Sequence, residues 1–171
     1  QAKVTGTTEV TSVNPEALTK SAAKQSIDEA LKAKTDEIDA RTDLTDEEKT
    51  AAKGDAKTKA DAAKTAIDNA TTNDAVTQVK NDGAASVASV TPAAVAKTEV
   101  KQAIDEALKA KSAEIDARTD LTDEEKTVAK LDAKAKADAA KATIDNAITN
   151  AEVEQAKVTG ITEVKAVDPQ P

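Results

Sequence analysis

The apolar residues of this chain recur three or four positions apart, the spacing that places them on one face of an α-helix. Three such stripes follow one another, and the same series then returns further along. The first series comprises Ile27, Leu31 and Ile38 with Leu18 and Ala23 upstream, then Ala52, Ala56, Ala60, Ala63 and Ile67, then Val76, Val79, Val87 and Val90. The second series opens with Val95, Val100, Ile104, Leu108 and Ile115. The pattern predicts an all-α chain whose helices come in groups of three.

Capping signals divide the stripes into helices. A proline follows a good N-cap residue at Asn14–Pro15, Thr91–Pro92 and Asp168–Pro169, and proline is favoured at the first helical position. These pairs predict the start of the first helix of each group. Thr45 and Glu48 have the spacing of a capping box, which predicts the start of the second helix. Thr71-Thr72-Asn73 supplies a cap for the third.

The end of the third helix is ambiguous because Gly83, Gly6 and Gly160 recur at one position of the pattern. Such a glycine either lies within a long helix or ends a short one as its C′ residue. The run Val87-Ala88-Ser89-Val90 favours a continuous helix with a weak point at the glycine.

The chain is an internal repeat with a period of 77 residues. Arg41–Thr50 returns without change as Arg118–Thr127, and residues 24–83 match residues 101–160 at 45 of 60 positions. Gln1–Gly6 is identical to Gln155–Gly160. We therefore expect a slice of a longer tandem array.

The period predicts four segments. Residues 1–14 are the end of the third helix of a preceding repeat, and residues 169–171 start a further one. Repeat 1 spans 15–91, with helices at about 15–41, 45–70 and 73–90, and repeat 2 spans 92–168, with helices at about 92–118, 122–147 and 150–167. Short turns between helices predict two three-helix bundles, which we expect to be arranged end to end as an elongated rod.

Composition makes each core thin. The chain has no Phe, Tyr, Trp, Met, Cys or His, and alanine dominates its apolar content. Lys and Arg number 24 against 32 Asp and Glu, a net charge of −8 with both signs interspersed. Without a basic stripe or stacking aromatics we expect no nucleic-acid partner. No apolar run approaches the roughly 20 residues of a membrane span.

Two groups of charged residues, an acidic cluster and the two arginines, are candidate ion-binding sites. The acidic cluster Asp43, Asp46, Glu47 and Glu48, repeated at Asp120, Asp123, Glu124 and Glu125, lacks the alternating acids and glycine of a calcium loop, and helix capping explains it better. Arg41 and Arg118 suit helix C-termini and salt bridges better than an anion site.

Catalysis has no support in the residues. A nucleophile would have to be a Ser, Thr or Lys activated by burial, and a thin alanine core offers no pocket for one. We therefore predict a protein that is not an enzyme, without catalytic, cofactor-binding or metal-ligating residues and without a cofactor.

The repeat resembles a known family. The residues that carry the resemblance are Asp43–Lys49, the Ala/Lys helix that runs to Ala63-Lys64, Ile67–Ala70, Val76, Val79-Lys80 and Gly83. They resemble the domain of unknown function numbered 1542 (DUF1542), found in tandem in wall-anchored surface proteins of staphylococci, streptococci and their relatives. The resemblance implies an extracellular location on a bacterial cell surface and a stalk between the wall and an adhesive region. It supplies no catalytic or ligand-contact residues.

Three hypotheses for function follow. The first is a non-catalytic stalk or spacer of a surface adhesin, monomeric, whose partners are the neighbouring repeats of the same chain. The second is a helical module that binds a host serum or matrix protein, for which an exposed apolar patch would be needed. The third, a hydrophilic protein disordered in water, fits the composition but conflicts with the helix caps.

Repeat 2 is expected to be the more stable of the two. Gly54 within the second helix of repeat 1 is replaced by Leu131, and glycine costs about 1 kcal/mol relative to alanine in a helix. Separate thermal melts of the two repeats test this prediction, and a higher midpoint for repeat 1 would contradict it.

Overall fold

The computed structural model describes the backbone of residues 2–171 and the side chains of residues 17–171. Within this part the chain is all-helical and has no β-strand. The helices are α1 (Ala2–Asp39), α2 (Asp46–Asn69), α3 (Asn73–Ala88), α4 (Val95–Asp116), α5 (Asp123–Asn146) and α6 (Asn150–Lys165). The predicted fold class, all-α with two three-helix bundles, is confirmed. The prediction that a helix starts at Asn14–Pro15 is wrong, because α1 runs without a break from Ala2 through this pair to Asp39. The assignment of residues 1–14 to a preceding repeat stays a prediction, and their side chains lie outside the described part.

The helices belong to two compact units. Unit 1 comprises Gln1–Arg41 and Lys49–Pro92, and unit 2 comprises Thr42–Glu48 and Ala93–Pro171. Unit 2 therefore contains the α1–α2 turn, a segment that the sequence assigns to repeat 1. In unit 2 each of the helices α4, α5 and α6 packs against the other two.

Each unit has a core of β-branched residues set among alanines. In unit 1 the largest fully buried apolar side chains are Ile27, Ile38, Ile67, Val76 and Val87, and in unit 2 they are Ile104, Ile115, Ile144, Val153 and Val164. Burying one such side chain contributes about 1.5–3 kcal/mol. The alanine stripe predicted for the second helix is confirmed, since Ala52, Ala56, Ala60 and Ala63 are all buried.

The predicted upstream ends of the first stripes are wrong. Leu18 is 72% exposed and its equivalent Val95 is 47% exposed, whereas Ala23 and Val100 are buried. Five residues separate each pair, which rotates the side chains about 140° apart at 3.6 residues per turn. In α4 the position on the buried face is Lys97, three residues before Val100, and it is 4% exposed.

Two further lysines occupy core positions that the sequence left unassigned. Lys34 and Lys111 lie on the buried faces of α1 and α4. Their ammonium groups pair with Glu37 at 3.1 Å and Glu114 at 2.9 Å, three residues further on. Each aliphatic stem thus covers the core while its charge reaches a carboxylate at the edge, which explains why a lysine is tolerated there.

Both third helices run through their glycines without a break, which settles the ambiguity in favour of a continuous helix. A Cβ atom on Gly83 would lie 2.4 Å from the Cβ of Ala63 and 3.0 Å from the Cδ1 of Ile27. On Gly160 it would lie 2.4 Å from the Cβ of Ala140. The glycine is therefore a point of close approach between the helices of each bundle, where a side chain of any size would clash.

This packing predicts opposite effects for two identical substitutions. Gly83→Ala should lower the free energy of unfolding by about 1–3 kcal/mol, because the new methyl group overpacks the core. Gly54→Ala should raise it by up to about 1 kcal/mol, because a Cβ there meets nothing within 4 Å and alanine favours helix. Urea unfolding followed by circular dichroism measures both, and a stabilising Gly83→Ala would contradict the packing argument.

Candidate functional site

The acidic turn before α2 forms the predicted capping box. The amide of Thr45 donates to Glu48 Oε1 at 3.1 Å, and the amide of Glu48 donates to Thr45 Oγ1 at 3.3 Å. Thr122 and Glu125 repeat the arrangement before α5. These reciprocal bonds satisfy backbone donors that the first turn of a helix leaves unpaired.

Two further caps precede the third helices. The predicted cap of α3 is confirmed, since Thr72 accepts from the amide of Ala75 at 3.1 Å. Before α6, Thr149 and Glu152 form a complete capping box, which the sequence analysis missed. Its signal was present in the sequence, a Thr followed three residues later by a Glu.

Within unit 2, Glu48 also caps a second helix. Its other carboxylate oxygen, Oε2, accepts from the amides of Val95 at 2.8 Å and Ala96 at 3.3 Å. These are the first two residues of α4, whose N-cap Ala94 provides no side-chain acceptor. One carboxylate therefore satisfies the N-termini of two helices, and its negative charge suits the positive ends of both dipoles.

The prediction that Pro92 opens this helix with Thr91 as its cap is wrong. The helix begins at Val95, and the hydroxyl of Thr91 donates to the carbonyl of Ser89 at 3.1 Å. The acceptor for the first amides of α4 lies 47 residues earlier in the chain. Local sequence signals carry no information on a cap supplied from so far away.

Other atoms of the turn 42–48 are also bound within unit 2. The amide of Asn150, the first residue of α6, donates to Glu47 Oε2 at 2.9 Å. The amide of Asp46 donates to the carbonyl of Ile148 at 2.7 Å. The ammonium of Lys97 donates to the carbonyls of Thr42 at 3.1 Å and Asp145 at 2.7 Å. Thr45 is completely buried in this environment.

Two opposing effects set the pKa of Glu48. Burial favours the neutral acid and on its own would raise the pKa. The hydrogen bonds from the amides of Thr45, Val95 and Ala96 and from the Thr45 hydroxyl favour the carboxylate, and together they outweigh burial. The pKa of Glu48 consequently lies below its usual value of 4.5.

The interpretation of Arg118 as a salt-bridging residue is confirmed. Its Nε donates to Asp120 Oδ1 at 2.7 Å, and its Nη1 lies 3.7 Å from Asp168 Oδ1. The hydrogen bond from Arg118 lowers the pKa of Asp120 to about 2. The equivalent Arg41 is half-buried, and its amide donates to the carbonyl of Ile38 at 3.1 Å.

Of the acidic residues considered as a calcium site, Glu47, Glu48 and Glu125 accept hydrogen bonds from amides at helix N-termini. Across the described residues no group of three or more His, Cys, Asp or Glu side chains is arranged to hold a metal ion. The same part of the chain contains no helix with the length and apolar character needed to cross a bilayer. What the turn offers chemically is a set of carboxylate oxygens aimed at backbone amides.

The fold and this capping turn define a class of protein, the tandem all-α repeat. The family model described as Domain of Unknown Function (DUF1542) matches residues 19–95 and 96–171, and the chain belongs to this family. The resemblance stated from the sequence is thereby confirmed.

Relatives of this chain are named extracellular matrix-binding proteins. EbhA of Staphylococcus aureus strain Newman is 36% identical over 135 residues, which cover 79% of this chain and 4% of that protein. The protein ebh of S. aureus strain NCTC 8325 is 36% identical over 135 residues, which cover 79% of this chain and 1% of that protein. The chain therefore spans a small part of the length of these relatives, whose names agree with the predicted extracellular location. No solved structure matches the chain significantly.

The double role of Glu48 generates a prediction with an internal control. Glu48→Gln should lower the free energy of unfolding by about 1–2 kcal/mol near neutral pH, because it removes a charged acceptor shared by several donors. Glu125→Gln removes the acceptor of a capping box alone and should cost about 0.5–1 kcal/mol. Urea unfolding of both variants measures the difference.

The effect of Glu48→Gln should also depend on pH. A carboxyl group whose pKa is lowered by folding stabilises the fold fully above its unfolded value, and the contribution is lost as the pH falls through the lower folded value. The advantage of the parent chain over Glu48→Gln should therefore shrink below pH 4.5. Equal losses for the two variants near neutral pH, or a Glu48→Gln loss that does not shrink as the pH falls, would contradict the assignment.

Proposed function

We propose that these repeats are a non-catalytic structural stalk of a bacterial surface protein, which sets the distance between the cell and a distal adhesive region. The observation that supports the proposal most strongly is that unit 2 contains a segment of repeat 1 together with the helices of repeat 2. A turn from repeat 1 caps the helices of repeat 2, so the link between repeats includes hydrogen bonds as well as the short segment between α3 and α4.

The repetition of the turn supports a structural role. Arg41–Thr50 and Arg118–Thr127 are identical, and the polar atoms of the first copy are used to cap helices. A spacer requires the same connection at each step, whereas modules with separate ligands require surfaces that differ. Neither the family description nor the names of the relatives describe an enzyme.

A binding role is the second candidate, favoured by one feature of repeat 2. Val128 and Leu131 are more than half exposed on α5, where repeat 1 carries Ala51 and Gly54. The relatives are named for binding extracellular matrix. A host serum or matrix protein captured by the parent chain, and lost when Val128→Ala and Leu131→Gly give repeat 2 the surface of repeat 1, would favour this candidate.

Small-angle X-ray scattering tests the stalk. A monomeric chain with a thin cross-section and a maximum dimension of roughly 80–100 Å is expected, because two bundles about 35 Å long at 1.5 Å per residue, with their connections, then lie end to end. Refractive index gives the concentration, since the chain has no aromatic residue. A compact profile would overturn the stalk.

A further inference from the structure

Unit 2 contains two copies of one turn in different environments. The copies are identical in sequence over Arg41–Thr50 and Arg118–Thr127. In the first copy Thr45 is completely buried, and in the second copy the equivalent Thr122 is exposed. Since the residues are the same, the difference lies in what covers them.

The first copy is covered by helix N-termini. Glu48 accepts from the amides at the start of α4, and Glu47 accepts from the amide at the start of α6. The amide of Asp46 donates to the carbonyl of Ile148, just before α6. This set of bonds uses both donors and acceptors of the turn and leaves little freedom in how the two helices are placed on it.

The second copy has the same groups without these partners. Glu125 Oε2 accepts from the amide of Thr122 at 2.8 Å, and its Oε1 accepts no hydrogen bond from the described residues. Within the same set of residues, the carboxylate of Glu124 and the amide of Asp123 also make no hydrogen bond. Beside these groups is an open recess lined by Glu124, Glu125, Val128, Ala129, Asp132 and residues 167–170.

We propose that the turn 121–125 is the docking surface for a repeat of this family that follows it in the same chain, and that Glu125 and Glu124 cap the first and third helices of that repeat. The proposal rests on the stalk function and names the contact by which the stalk is continued. The occupant follows from the first copy, where identical residues hold those two helix starts. Carboxylates and the positive ends of helix dipoles are also complementary in charge.

The register of the chain permits a direct test. Pro171 occupies the position of Ala94 in the repeat, so a second copy of residues 95–171 added directly after Pro171 continues the period of 77. The added copies of Val95, Ala96 and Asn150 would then provide the amides that Glu125 and Glu124 lack. Hydrogen exchange measured by NMR on the parent and extended chains reports on each amide separately.

The amide of Asp123 is the decisive probe. In the parent chain it should exchange faster than the amide of Asp46, which is bound to the carbonyl of Ile148. In the extended chain it should become about tenfold more protected, as expected for a hydrogen bond gained in a buried contact. Glu125→Gln in the extended chain should reverse much of this gain, while Asp46 serves as the unchanged internal reference.

Unchanged exchange at Asp123 after extension would overturn the proposal. Protection of Asp123 in the parent chain that rises with protein concentration would overturn it in favour of a second copy of the chain, and protection on adding a matrix protein would favour a host partner. The stalk itself is judged separately by scattering. An elongated extended chain with an unprotected Asp123 would retain the stalk and reject this contact.

Discussion

The structure depends on how closely the helices of each bundle approach one another. With no aromatic or methionine side chain available, the space between helices must be filled by alanine, valine, isoleucine and leucine. Gly83 against Ala63, and Gly160 against Ala140, are contacts too close to admit a Cβ atom on the glycine. The stabilisation from dispersion contacts and apolar burial decreases quickly when helices that carry such small residues move apart. The thin core therefore stabilises the bundle only when the helices are this close. The isoleucines of both cores are fully buried.

Several helices of unit 2 begin close to the acidic turn, and the carboxylates of this turn accept hydrogen bonds from their first amides. The first amides of a helix have no partner within it, and an unpaired buried amide is costly. Glu48 serves α2 through the capping box and α4 through its second oxygen, while Glu47 serves α6. The pair Glu47 and Glu48 is thus explained by the helix N-termini that meet at this turn in unit 2.

The sequence predicted the number of helices, their approximate bounds and the local caps, because each is encoded by neighbours three or four residues apart. Thr45 with Glu48 and the alanine stripe of α2 are examples.

Sequence-based prediction failed where a segment far away in the chain determines the structure. The start of α4 was placed at Pro92 because a local cap was visible, whereas the acceptor is Glu48. Likewise Gly83 suggests a weak point of α3 when only its own helix is considered. The structure shows that a glycine is required there because Ala63 of α2 and Ile27 of α1 leave no room for a Cβ atom. Lys97 was passed over because charge alone suggests exposure, although its position on α4 places its stem in the core.

The identity of the two turns has a genetic consequence. A crossover between the coding sequences of Arg41–Thr50 and Arg118–Thr127 would remove or add one whole period of 77 residues and keep the reading frame. The product of a deletion joins α1 to α5 through an unchanged turn. The hybrid bundle then sets Ile27 and Ile38 against Ala129, Ala133, Ala137 and Ala140, which occupy the same positions as the alanines of α2. Gly160 replaces Gly83 opposite the same residue type. A change in the number of repeats would therefore keep the residue types at the core positions of the joined bundle, so length could vary without a new fold being required.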